Sequence, residues 1–426
     1  MTTFKELLLE SKDGEWGKGD PSPDHIPMLC IRGTDFERIR IGAIENVPVR
    51  QILNRHAARK TLQPNDILLE TAGGSRDRPT GRSVLLRQTL FDTSPYPLIC
   101  ASFARFLRVD QGQAAPAYVF WLLQEWYSNR RMLAYHTQHT GVARFQYTTF
   151  AATEEIPLPP LPTQRRIASI LSAYDDLIEN NTKRIEILEE MARSLYREWF
   201  VHFRFPGHEK VKLVDSELGK IPEGWEVLPL SEVFDTSSGG TPSRKHPEYY
   251  EGGEIPWVKT RELNDTWIID TEEKITELGL KKSSAKLFPK GTLLVAMYGA
   301  TVGVLGVLDL DACTNQACCA VLPKNGSAFG LAFARGYFFE IRQQLIGQAL
   351  GAAQPNISQQ VICRQPVVRP PESLAGLFEQ TSGPILELSG NLIRKNQVLR
   401  QTRDILLPKL ISGEIDVDAL DLPEAS

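Results

Sequence analysis

Gly351-Ala352-Ala353-Gln354-Pro355-Asn356, then Pro366 to Pro371, then a long helical pattern ending Leu406-Leu407-Pro408-Lys409-Leu410-Ile411-Ser412-Gly413-Glu414-Ile415, repeats a theme given earlier in the chain. The first statement is Gly141-Val142-Ala143-Arg144-Phe145-Gln146, then Pro157 to Pro162, then another long helical pattern. Pro157 answers Pro366 and Pro162 answers Pro371 at one offset, 209. Upstream, Ile26-Pro27 answers Ile255-Pro256. Pro64 answers Pro289 ahead of the apolar runs Ile67-Leu68-Leu69 and Thr292-Leu293-Leu294. Self-similarity on this scale outranks any short motif as a fold signal. Each half reads as one globular head followed by one long helix. The expected division is a first head at 1–162, a central helix at 163–205, a second head at 206–371, a distal helix at 372–412 and an acidic tail at 413–426.

Bulk composition agrees with two domains. A chain of 426 residues exceeds what one hydrophobic core usually supports. Apolar residues at 42% and charged residues at 23% are ordinary for a globular protein. No apolar run approaches the roughly 20 residues that span a bilayer, and Met1-Thr2-Thr3-Phe4-Lys5-Glu6 lacks the basic-then-apolar order of a secretion signal. Six scattered cysteines (Cys30, Cys100, Cys313, Cys318, Cys319, Cys363) form no CxxC pair, which fits reduced thiols in a cytoplasm, with neither disulfides nor zinc. Net charge is −4, but between Arg55 and Arg108 nine basic residues face only four acidic ones. A basic face on a mildly acidic body suits DNA. A solvated charged surface accounts for it equally.

The helical stretches carry a heptad signal. From Gln164 to about His202 one stripe reads Leu171, Ile178, Ile185, Ala192, Trp199, and the intervening positions are Tyr174, Asn181, Leu188 and Leu195. The distal stretch gives Phe378, Ile385, Leu392, Leu399 and Leu406, with a weaker second stripe of Thr381, Leu388, Lys395, Thr402 and Lys409. Neither helix is apolar all round, so each needs one partner along its length. The simplest solution pairs them antiparallel, with Asn181 as the buried polar residue that sets register. Forty residues of helix make a rod of roughly 60 Å, longer than the ~35 Å of one DNA turn. A coiled coil used only for dimerisation is the plainer alternative.

The proline runs read as stiff connectors launching helices at Thr163-Gln164 and Glu372-Ser373. Each head mixes strands (Ile26 to Arg32, Ile67 to Leu69, Ile255 to Lys259, Thr292 to Tyr298, Val302 to Leu308, Ala317 to Leu322) with a helix (Ala115 to Tyr135, Phe329 to Ala349) that puts Tyr127 and Tyr337 in equivalent places. The fold class is therefore α+β, as two similar heads and two long helices. The interval from Ile26 to Pro157 exceeds that from Ile255 to Pro366, mostly between Pro64 and Gly141, so the heads share a scaffold but differ in loops.

Several of these segments resemble one family. Leu407-Pro408-Lys409-Leu410-Ile411-Ser412-Gly413-Glu414-Ile415, Ile221-Pro222-Glu223-Gly224-Trp225-Glu226, Gly239-Gly240-Thr241-Pro242-Ser243, Tyr298-Gly299-Ala300-Thr301-Val302-Gly303, Asn315-Gln316-Ala317-Cys318 and Leu161 through Leu171 are similar to the specificity subunit of type I restriction-modification systems. The resemblance implies two target-recognition domains held apart by two antiparallel helices. It implies double-stranded DNA as ligand and two modification subunits as partners, which bind S-adenosylmethionine and methylate adenine N6. It implies restriction subunits as further partners. The first head departs from the pattern: it lacks the Ile-Pro-x-Gly-Trp opening and begins near Lys12-Asp13-Gly14-Glu15-Trp16-Gly17.

No catalytic constellation stands against this. An adenine methyltransferase needs Asn/Asp-Pro-Pro-aromatic, but Pro159-Pro160 follows Leu158 and Pro370-Pro371 follows Arg369. Gly74 to Ser83 has the wrong spacing for a phosphate loop. His136 and His139 lack a third ligand in sequence, so packing or surface roles suit them better than metal. The chain is expected to be non-catalytic and to hold no cofactor. Arg, Gln and Asn can read base edges while Lys, Ser, Thr and backbone amides hold phosphates. The candidate DNA contacts are Arg32, Arg76, Arg78, Arg82, Arg144 and Gln146 in the first head. In the second they are Thr241, Ser243, Arg244, Lys245, Lys259, Arg261, Tyr298, Gln354 and Asn356, with Gly239-Gly240 letting backbone approach a phosphate. Each is equally at home as a solvated loop residue. A coiled-coil scaffold whose heads bind protein, and a free-standing restriction-methylation enzyme, are the competing functions.

Overall fold

The computed structural model describes residues 2–74, 78–138, 142–349 and 356–420. The chain forms two compact units, Met1–Thr182 with Asn396–Ser426, and Lys183–Lys395. Four long helices organise them: α1 (Pro116–Ser128), α2 (Leu161–Tyr196), α3 (Leu331–Gly347) and α4 (Glu372–Ile411). The unit boundary falls within α2 and α4, so each unit holds one head and part of both helices. No helix among the described residues is long and apolar enough to cross a membrane.

In the first head, Ile67–Glu70 lies between Ala104–Val109 and Ser83–Leu85, with Leu8–Asp13 beyond. Ile67-Leu68-Leu69 is buried on both faces. Ile67 and Leu69 pack with Trp121 and Leu122 of α1, while Leu68 packs with Ile31 and Phe106. Alternation of side chains across a strand makes that split unavoidable. A second sheet has Val49–Leu53, His25–Ile31 and Leu98–Cys100, the last two parallel.

The second head repeats this. Phe234–Ser238, Cys318–Pro323, Leu293–Ala296 and Leu305–Leu308 form the first sheet, extended by Thr266–Ile268. Ile255–Val258 again runs parallel to Ala312–Thr314 in the other. Leu293 and Val295 pack with Phe333 and Phe338 of α3, and Leu294 turns to the smaller cluster with Val258. Ile67 therefore corresponds to Leu293 and not to Thr292. Sequence alignment slipped by one residue, and burial on both faces, with only the middle leucine turned to the smaller cluster, corrects it.

Four other expectations change. Pro366–Arg369 is a paired strand, hydrogen-bonded to Glu226–Pro229, as Glu155–Ile156 is to Thr2–Thr3. Pro366 and Pro229 face each other at the end of that ladder, where a missing N–H costs least. Consequently Lys12 to Gly17 does not occupy the place of Ile221 to Glu226. Asp13 pairs with Arg105 as Ser238 pairs with Cys319, so Gly14 corresponds to Gly239. Nor is Tyr127 the counterpart of Tyr337. The Tyr337 hydroxyl donates to the Pro366 carbonyl (3.1 Å), and it is Tyr118 that donates to Pro157 (3.1 Å). Helix α2 begins at Leu161, with Pro162 in its first turn, where no N–H partner is lost. In α4, Pro384 is exposed inside the helix, and the carbonyl it frees, on Gln380, belongs to an exposed residue.

The helix seam also shifts. Leu171, Ile178, Asn181, Phe378 and Leu392 are buried, while Ile185, Leu188, Leu195, Ile385, Leu399 and Leu406 are half-buried. The second stripe of α4 is not Thr381, Leu388 and Lys395, which are exposed. It is Ala375, Ser382, Ser389, Asn396 and Leu410, one residue later. An apolar template passes over Ser and Asn, whose small volume lets helices approach closely. In the first unit Asn181 donates to Asn396 Oδ1 at 2.8 Å, with both side chains buried. Thr163 reaches Asp418 (2.9 Å) at the other end, so the two segments run antiparallel. In the second unit Phe378 closes a ring cluster with Tyr196, Trp199 and Phe200, at 6.0, 5.5 and 4.9 Å.

Replacing Asn181 alone with leucine leaves the buried Asn396 Oδ1 without its donor and should cost about 1–3 kcal/mol. The double replacement Asn181→Leu, Asn396→Leu should recover most of that loss. Chemical denaturation of the two variants tests it, and a double variant no more stable than the single would show that the pair does not act as a unit.

Candidate nucleic-acid interface

The same end of each head's sheets gathers most of the candidate residues, and backbone hydrogen bonds prove the correspondence. Ala101 donates to Ile31 (2.8 Å) as Asn315 does to Val258 (2.9 Å). Thr71 donates to Phe103 as Met297 does to Ala317, both at 2.9 Å. Phe145 donates to Thr71 as Ile357 does to Met297, again at 2.9 Å. Isolated bridges then join Ala72 to Arg144 and Tyr298 to Asn356. Arg144 and Asn356 thus stand at one topological position, as do Arg32 and Lys259, each the residue that follows the parallel strand.

Between these points lies a hairpin whose length differs. Gly81 donates to Glu70 (3.1 Å) as Gly303 does to Ala296 (2.9 Å), both glycines at positive φ. The segment Ala72 to Gly81 is four residues longer than Tyr298 to Gly303 and carries Arg76 and Arg78. Arg76 and Gln354 lie outside the described residues; Arg78 is exposed. The Tyr127 hydroxyl holds the base of the longer loop at the Pro79 carbonyl (3.0 Å).

Arg144 and Gln146 are exposed and share a cavity of about 440 Å³ with Asp13, Phe103, Arg105 and Tyr147. Arg105 pairs with Asp13 (2.7 Å) and lies 4.2 Å over the Tyr147 ring. Phe103 is 56% exposed, a large aromatic surface at the mouth of a polar cavity. Sequence reading missed Phe103 and Tyr147, because only strand pairing brings them beside Arg144. In the second head the positions of Phe103 and Arg105 are Ala317 and Cys319, and the exposed aromatic is Tyr298.

Charge pairing separates the arginines. Arg82 is turned inward: it binds Glu70 through two nitrogens (3.0 and 2.7 Å) and the Gly33 carbonyl (2.8 Å). That buried carboxylate raises its pKa further, so Arg82 builds the scaffold and is not available to bases. Arg32 grips Asp35 bidentately at 2.9 and 2.8 Å. In the second head Arg244 binds Glu273 (2.5 Å) and stacks 4.1 Å over Tyr250. Lys259 sits between Glu272 (3.2 Å) and Glu273 (3.5 Å), and Arg261 also binds Glu272. Those cations hold both carboxyls below their ordinary range. Thr241, Ser243 and Lys245 are exposed nearby, Thr241 donating to Gln316.

Gly239 and Gly240 serve a different need from the expected one. A Cβ on Gly239 would meet the Thr314 carbonyl at 2.0 Å, and one on Gly240 would meet Ser284 at 2.1 Å. A Cβ on Gly14 would meet the Cys100 carbonyl at 2.1 Å in the equivalent place. These glycines let two turns of the protein touch, and a phosphate is not required to explain them.

Cys30, Cys100, Cys313, Cys318 and Cys319 are buried. Burial pushes Cys30 up to about 12 and Cys313 up to about 11. His136 accepts from the Thr80 N–H (3.2 Å), while His139 lies outside the described residues. Among the described residues no group of three or more His, Cys, Asp or Glu is placed to hold a metal ion.

Comparison with known proteins finds a family model, the type I restriction modification DNA specificity domain, matching residues 65–190 and 222–373. The MjaIX type I restriction enzyme specificity subunit of Methanocaldococcus jannaschii is 29% identical over 280 residues, covering 62% of this chain and 62% of that protein. The HindI specificity subunit of Haemophilus influenzae is 24% identical over 336 residues, 64% of this chain and 72% of that one. The aligned region thus spans less than two thirds of the first relative's length. The crystal structure of a type I restriction-modification S subunit from M. genitalium has the same fold, with TM-score 0.58, 16% identity, and coverage of 96% and 95%.

The inward and outward arginines should behave oppositely. Arg82→Ala leaves Glu70 buried without its cation and should cost about 3–5 kcal/mol. Arg144→Ala should stay within about 0.5 kcal/mol of the parent. Equal stability of the two variants in urea would refute the division.

Proposed function

The chain belongs to the type I restriction-modification DNA specificity family, and from that premise we propose that it is the non-catalytic address-reader of a methylating and restricting complex. Each head reads one part of an interrupted, asymmetric site in double-stranded DNA. One observation carries this reading: two sheet ends with matching backbone hydrogen bonds present different side chains at equivalent positions. Arg144 answers Asn356, Phe103 answers Ala317, Arg32 answers Lys259, and the arginine-bearing loop answers the short Tyr298 to Gly303 turn. A shared scaffold with different base-reading chemistry suits two different half-sites.

The two long helices serve two modification subunits. Ile187 and Met191, four apart on α2, are 60% and 48% exposed, and Val398 and Ile405, seven apart on α4, are 59% and 63% exposed. Apolar stripes of this kind on otherwise polar helices suit protein partners. S-adenosylmethionine and adenine-N6 transfer belong to those modification subunits, and restriction subunits complete the assembly around the same chain. Cytoplasmic action on the cell's own DNA follows from that role.

Mapping methylated adenines in cells carrying the whole system identifies the site. Exchanging residues 206–371 for the equivalent head of a relative should replace one half-site wholesale and leave the other. Arg261→Ala should weaken engagement of that same half without changing the bases it reads, and leave the other half intact. A head exchange that altered both halves together would defeat the modular reading.

A further inference from the structure

Three cations of the second head are already occupied, and by carboxylates from one short segment. Arg244 binds Glu273 (2.5 Å), Lys259 binds Glu272 (3.2 Å) and Glu273 (3.5 Å), and Arg261 binds Glu272. These carboxylates are held in place. The Thr271 hydroxyl donates to the Glu273 carbonyl (2.7 Å) and accepts from the Trp257 N–H (3.3 Å), and the Glu272 N–H donates to Glu262 (3.2 Å). Glu262 in turn accepts from the Lys259 N–H (3.2 Å), so carboxylates and cations are set on one frame. The arginine pairs are open to water, Arg244 being 55% and Arg261 66% exposed, while Lys259 is 14% exposed. Exposed pairs of this kind are worth little to stability. A carboxylate oxygen and a phosphate oxygen satisfy a guanidinium or ammonium in the same way.

Resting on the DNA-reading proposed above, we propose that Glu272 and Glu273 are an internal anion that sets the DNA affinity of the second head, standing in the places that DNA phosphates would take on Arg244, Lys259 and Arg261. The exchange of carboxylate for phosphate gains little on any duplex, so the three cations stay tethered and sequence-independent binding is weak. The acidic pair lowers noncognate and cognate affinity by a similar factor and leaves discrimination to the base contacts.

The test uses the full chain assembled with its modification subunits, and two duplexes: one bearing the mapped site and one of scrambled sequence. Glu272→Gln with Glu273→Gln frees three cations for phosphate. Each phosphate contact contributes about 0.9 to the slope of log affinity against log salt. The noncognate slope should therefore steepen by about 2–3, and noncognate affinity at low salt should rise about tenfold or more, with a comparable rise for the cognate duplex. Adding Lys259→Gln and Arg261→Gln to that variant should return the slope toward the parent value. Glu232→Gln with Asp235→Asn, which removes two exposed carboxylates elsewhere on the same head, controls for net charge. A noncognate slope equal to the parent's, or one matched by the control, overturns the proposal. So does loss of cognate binding in the glutamine variant, which would make the carboxylates positioning groups for Arg261. Failure of the parent complex to bind either duplex would instead remove the DNA-reading itself.

Discussion

A carboxylate placed between a helix and a domain must be met by cations, and in each unit such a contact seats the head. In the first, Asp175 of α2 is 5% exposed and receives Arg40 of the head (2.7 Å) and Arg403 of α4 (2.6 Å). Both guanidiniums lie over Trp121 of α1, at 5.1 and 5.8 Å, and the Trp121 N–H donates to Ser172 (3.1 Å). One acidic residue thereby ties head, α2 and α4 into a single packed body. In the second unit Glu189 of α2 meets the buried Arg335 of α3 (3.1 Å), which also donates to the Asp265 carbonyl (3.0 Å). The neighbouring Gly336 lies so close to Tyr196 that a Cβ would come within 2.3 Å of its ring. Removing either carboxylate would strand buried cations, which is far costlier than losing a surface pair.

Such seating frees the opposite end of each sheet from structural duty. The residues that hold the scaffold, such as Ile67 to Leu69, Leu293 to Val295 and the close-packed glycines, are alike in the two heads. Those at the sheet end are not: Arg105 stands where Cys319 does, and Gln146 where Ser358 caps a short helix. Divergence is cheap there because the backbone hydrogen bonds, and not the side chains, define the positions. That is the physical basis on which two copies of one fold can acquire different DNA preferences.

Arginine count is a poor guide to which side chains are free to meet a ligand. Arg82 and Arg108 are spent on buried Glu70 and Asp66, inside the same basic stretch that suggested a DNA-binding face. Arg144 is exposed in a cavity; in the second head Arg244 and Arg261 are exposed and Lys259 is mostly covered, and all three are held by glutamates. Part of the local positive excess is therefore internal neutralisation, consistent with a mildly acidic chain that nonetheless presents basic groups at one end of each sheet.

The amino-acid sequence alone determined the duplicated plan, the α+β heads, the two long helices and the family resemblance. Those features rest on repetition, periodicity and punctuation by Pro and Gly, all local or directly comparable along the chain. Asn181 was legible as a polar residue in an apolar stripe. Its partner Asn396 was not, because Ser382, Ser389 and Asn396 leave no hydrophobic trace on α4. Tertiary structure alone decided that Tyr118 and not Tyr127 matches Tyr337, and that Gly239 and Gly240 make room for Thr314 and Ser284. It also decided that Arg82 faces inward while Arg144 faces out. Each depends on which residues of distant strands become neighbours, and a charge or a glycine in a list carries no record of what will stand beside it.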